Sequence, residues 1–215
     1  MERSEPEANP PGLTAAMETH VGVETTVPFY SSMGSHDWQR LGYPSREVAR
    51  FWDTRSCGVA CLRMAYGYLG PATNDSPARI TEELLRLGAY SEAKGWKHLG
   101  LAHHARLRGL AAHLVSASRP DELWLAATTP GVLIVSVGSS FDIESCSGHL
   151  AVVVGFAESG DIVLHRPSGQ SPSEGFNLRV HPDTFWEHFS GRGIHISQPE
   201  KGGGGGLCRT GLQTS

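Results

Sequence analysis

The sequence has little of what marks the extreme classes of protein. Charged residues make up only 19% of the 215 positions, and the net charge is −4. No Lys/Arg run stands out, so nucleic acid is not expected as a main partner, since phosphate backbones are held by concentrated positive charge. No apolar stretch approaches the ~20 residues a helix needs to span a bilayer, so no membrane partner is expected. Residues 1–20 carry Pro, Glu and Ala but no apolar export segment. The cytoplasm is therefore the expected compartment. Cysteine is scarce: Cys57, Cys61, Cys146 and Cys208. A chain this long builds a core without disulfides, so free thiols are expected. No internal repeat is visible, and the length suits one domain.

What is present arranges itself around that one domain. Residues 1–22 are polar and Pro-rich and read as disordered. Residues 200–215, with the run Gly202–Gly206, read as a flexible tail that includes Cys208. Between them, 23–199 alternates helix and strand signals. Val27-Pro28-Phe29-Tyr30 is a short β-like opening. Ser45 is placed to cap a helix running to Trp52, and Ser76-Pro77 opens another that ends at Gly88. Residues 57–69 are mostly apolar and stop at Gly70-Pro71, as a buried helix would. Trp96–Leu107, Arg119–Ala127 and His181–Phe189 are further expected helices. Expected strands are Leu110–Val115, Gly131–Val137, Leu150–Phe156, Ile162–His165, Phe176–Val180 and Gly193–Ile196. Helices come first and strands later, which predicts an α+β fold with a helical half packed on a mostly antiparallel sheet. The five tryptophans are scattered and read as core anchors.

Two segments carry chemistry. In Ser56-Cys57-Gly58-Val59-Ala60-Cys61 a cysteine and a glycine stand where the buried helix begins. In Gly148-His149-Leu150-Ala151-Val152 a histidine starts an apolar strand. Only the thiolate is a good nucleophile, and a helix N-terminus favours it because unpaired N–H groups attract an anion. A neighbouring imidazole stabilises the thiolate and returns a proton to the leaving amine. Gly58 is expected to let a substrate backbone approach. Cys61, in the helix body, reads as packing. A rival reading joins Cys57, Cys61, Cys146 and His149 into a zinc set of C-x3-C and C-x2-H pairs.

At these residues the chain resembles papain-like cysteine peptidases of the bacteriocin-processing group, family thirty-nine of the cysteine class. The shared segments are Val27-Pro28-Phe29-Tyr30-Ser31, Asp37-Trp38, Ser45-Arg46-Glu47-Val48 with Trp52, and Cys57 to Met64. Gly148-His149-Leu150, His165-Arg166-Pro167-Ser168-Gly169 and Gly191-Arg192-Gly193-Ile194 complete them. The resemblance implies a papain-like fold, Cys57 as nucleophile, His149 as general acid/base, a peptide or amide substrate, and no cofactor or metal. Peptidase, amide hydrolase and acyltransferase share that machinery, because all pass through an acyl-enzyme. Two positions depart from the family pattern. Ser32 stands where a glutamine would donate to the oxyanion, with Gln39 nearby. Arg166 stands where Asn or Asp would orient the histidine, and a guanidinium has no acceptor for an imidazole N–H. Asp142 and Asp161 are the carboxylates that would substitute. With both supports changed, a peptide-binding protein that no longer cleaves is the standing alternative.

Overall fold

Ser45 accepts a hydrogen bond from the Val48 N–H and opens helix α1 (Arg46–Asp53). Ser76 does the same for α3 (Pro77–Arg86) through the Arg79 N–H. Between them α2 (Cys57–Leu69) starts at Ser56 and ends at Gly70, whose φ of 79° is the left-handed conformation that closes a helix. The computed structural model describes residues 26–31, 35–70, 75–138, 140–141, 148–167 and 174–200. The terminal segments expected to be disordered or flexible, and Ser32, Asp142, Cys146 and Cys208, lie outside them.

The remaining helices are α4 (His98–Leu107), α5 (Pro120–Thr128) and α6 (Pro182–His188). Strands β1 (Tyr90–Ser91) and β2 (Gly95–Trp96) form a small hairpin. The main sheet comprises β3 (Ala111–Ser116), β4 (Val132–Gly138), β5 (Gly148–Phe156), β6 (Ile162–His165), β7 (Leu178–Val180) and β8 (Phe189–Ser197). Its order is β3-β8-β4-β5-β6-β7, and every pairing is antiparallel. The expected α+β architecture is the one observed.

Alternation along β5 divides the core. Leu150, Val152 and Val154 join α1 to α4 on one face, whereas Ala151 and Val153 join Leu123 of α5 and Phe185 of α6 on the other. The sheet is thus covered on both faces, one layer more than the sequence reading placed there. Two other local expectations change. Trp96 begins no helix; it pairs in the β1–β2 hairpin and packs among Trp52 and Tyr90. The Val27 segment forms no strand among the described residues. It is held instead by the His165 ring, whose Nε2–H donates to the Val27 carbonyl at 3.0 Å while Nδ1 accepts from the Asn177 N–H.

Candidate active site

The start of α2 has an unusual cap. Ser56 makes no side-chain capping bond to the first turn, although its carbonyl accepts from the Ala60 N–H at 2.9 Å. The first-turn N–H groups are thereby available to another acceptor. The amides of Leu150 from β5, Gly58 and Cys57 favour the Cys57 thiolate. Leu150 is the residue after His149, and α2 packs against β5 on the Leu150 face. Gly148, with φ of 104°, permits the backbone turn that begins that strand.

Cys57 and His149 are both buried, 7% and 8% exposed. No hydrogen bond joins the Cys57 thiol to the imidazole among the described residues. The strand phase gives the reason. His149 pairs with Val137 and shares the phase of Ala151 and Val153, which face α5 and α6, whereas α2 lies on the Leu150 face. Among the described residues the buried Nε2 atom of His149 has no hydrogen-bond partner.

Both groups sit in their neutral forms. Burial pushes the Cys57 thiol up to about 11, against the pull of the Leu150, Gly58 and Cys57 amides and of Arg166. Burial, and then the Arg166 charge, pushes the His149 imidazole down to about 3. Arg166 is thus electrostatically part of the site. Its backbone N–H donates to the Gly175 carbonyl at 2.8 Å, and its guanidinium lies 5.6 Å from the centre of the Phe141 ring. Its field favours thiolate and disfavours imidazolium.

The other sequence candidates separate from the pair. Asp161 lies in the turn at the far end of β5, roughly 25 Å of strand from His149, where it accepts a hydrogen bond from the Ser159 hydroxyl. It cannot orient that ring. Gln39 is exposed on the turn after the short 3-10 segment Ser35–Asp37. Cys61 is fully buried one helical turn below Cys57. Among the described residues no group of three or more His, Cys, Asp or Glu side chains is placed to hold a metal.

Gly58 has a different role from the one its position suggested. A Cβ there would meet the Trp96 ring at 2.6 Å. The glycine admits that indole, whose N–H donates to the Arg55 carbonyl just before the helix. The ring therefore braces the loop that delivers Cys57. Neither this contact nor the Leu150 amide has a sequence signature, because one joins distant segments and the other is backbone.

This arrangement of helices on an antiparallel sheet matches the fold of known structures. The peptidase domain of Streptococcus ComA, a bi-functional ABC transporter involved in quorum sensing, aligns with a TM-score of 0.52 at 22% identity, covering 68% of this chain and 93% of that one. A Bacillus anthracis protein described as a C39-like peptidase aligns with a TM-score of 0.53 at 15% identity, covering 81% and 96%. The chain has the C39-like papain fold. No family model and no curated protein matches the sequence. The C39-like fold accounts for the position of α2 against β5.

Proposed function

We propose that the chain is a cysteine-type peptidase or amide hydrolase acting through an acyl-enzyme on Cys57. The observation that supports this is a buried cysteine at the N-terminus of α2, where the backbone amides of Leu150, Gly58 and Cys57 favour its thiolate. In this reading a peptide carbonyl enters beside the sulfur. The His149 ring must first turn from the α5–α6 side toward the start of α2; the Cys57 thiol then gives its proton to His149, and sulfur bonds to the carbonyl carbon. The C–N bond breaks, His149 returns the proton to the leaving amine, and water then cleaves the thioester and restores the thiol. A backbone amide of the helix start donates to the oxyanion. The compartment that suits the buried free thiols Cys57 and Cys61 is a reducing one, the cytoplasm. An acyltransferase differs only in taking an amine or alcohol in place of water.

One observation favours a second reading. The site holds a neutral thiol and a neutral imidazole with Arg166 beside them. That is the state of a peptide-binding protein that has stopped cleaving. A single experiment separates the two. Purified protein is mixed with a peptidyl nitrophenyl ester and followed by intact mass spectrometry. The hydrolase reading expects an acyl adduct on Cys57, absent in Cys57→Ala, with turnover of the corresponding peptide amide. Binding of the peptide with no adduct and no turnover in either protein supports the second reading and overturns the first.

A further inference from the structure

A cavity of about 290 Å³ lies on a different face of α2 from the thiol. Ser56, Val59, Ala60 and Arg63 line it at helical spacing, and neither Cys57, His149 nor Arg166 reaches it. Its opposite wall includes Phe29 and Tyr30, in the segment that His165 holds at Val27. Pro28 packs on Gly67, where a Cβ would stand only 2.7 Å from its ring, so the wall is fitted to the helix. Trp52 adds a buried aromatic surface.

Arg63 is the unexplained group. It is half-buried, and its guanidinium lies 4.1 Å from the centre of the Tyr30 ring. Among the described residues no carboxylate pairs with it. Burial pulls its pKa down, against the upward pull of the Tyr30 and Tyr43 hydroxyls, and the nearby Arg40 charge adds to the fall. A cation held partly out of water without a counter-charge is costly unless a ligand supplies one. The lining also names the ligand's charge. Asp37, paired with Arg40 at 2.8 Å, and Asp53 face the same space, so a dianion such as phosphate would be opposed more strongly than a monoanion. A planar monoanion matched to the guanidinium fork meets less of that repulsion. The volume falls just under the ~300 Å³ at which drug-sized ligands begin, which leaves room for one or two amino-acid-sized groups.

We propose that this cavity binds the carboxylate of a small ligand, one or two amino-acid residues in size, with Arg63 as its bidentate partner and Phe29 and Trp52 against its side chain. The carboxylate belongs either to a free amino acid or to the C-terminus of a peptide. The site stands apart from the thiol chemistry and does not depend on it. The test is calorimetric titration of the full chain with phenylalanine, N-acetylphenylalanine and N-acetylphenylalanine amide. Saturable binding of a carboxylate form, at least about tenfold tighter than the amide, is expected. Binding of phenylalanine alone identifies a free amino acid, and binding of the N-acetyl acid identifies a peptide C-terminus. Arg63→Gln should weaken that binding at least about tenfold, and Cys57→Ala should leave it unchanged. The proposal is overturned if neither carboxylate binds, if the amide binds equally well, or if folded Arg63→Gln binds like the wild type. Should Arg63→Gln fail to fold, the acid-against-amide comparison in the wild-type chain decides alone.

Discussion

At Arg166 a guanidinium occupies the neighbourhood in which an imidazole ring needs an acceptor. Among the described residues the buried His149 Nε2 atom finds none, and the nearby positive charge opposes a second on the ring. The same charge assists the Cys57 thiolate, so the two halves of the pair are driven in opposite senses. Arg166→Asn should therefore raise the His149 pKa, while burial keeps it below its ordinary value. Titration of ¹³C-labelled histidine by NMR reads this directly. An unmoved His149 curve would show that the guanidinium does not act on the ring.

At the scale of elements, the delivery of Cys57 depends on the β1–β2 hairpin as much as on its own helix. Trp96 lies on Gly58 and bonds back to Arg55, tying hairpin, loop and helix start together. Gly58→Ala should destabilise the fold by ~1–3 kcal/mol, since the added methyl drives into an indole already packed against Trp52 and Tyr90. Urea unfolding measures the loss. Combining it with Trp96→Leu should cost less than the sum of the two single changes, because the clash then disappears. A fully additive pair would refute this account. Elements with local signals were legible beforehand. The Ser45 and Ser76 caps and the Gly70 stop are local chemistry, and each stands where the sequence put it. Trp96 was misread as helical because its partners, Trp52 and Arg55, lie some forty positions away in the chain.

Across the whole molecule, buried histidines tie stability to pH. His104 lies between Tyr66 and Glu83, its Nδ1 accepting from the tyrosine hydroxyl at 2.7 Å and its Nε2–H donating to the carboxylate at 3.0 Å. Burial lowers its pKa, as it does for His98, His149, His165 and His195. Burial alone would raise the Glu83 pKa, but hydrogen bonds from Arg108, His104 and Arg79 outweigh it and hold the carboxyl at about 2. Each of these groups binds fewer protons folded than unfolded once pH falls below its unfolded value. Stability must then fall with pH, through the histidines below about 6.5 and through Glu83 below about 4.5. Burial has the opposite consequence at the other end, since the Cys57 thiol keeps its proton to about 11 while an unfolded thiol loses it near 8.5. Urea midpoints should peak between about pH 7 and 8.5 and drop on both sides. A flat profile from pH 7 to 4 would contradict the buried, neutral state of these rings.

By itself the sequence determined the order of helices and strands, and it set a cysteine at a helix start and a histidine at a strand start. Those features depend on caps, glycines and periodicity within a few residues. Only the tertiary structure decided what surrounds them. The pull of the Leu150 amide on Cys57, the indole on Gly58, and the Arg63 guanidinium over Tyr30 each join positions distant in the chain. Burial, which makes both members of the pair neutral, is likewise a property of the packed whole.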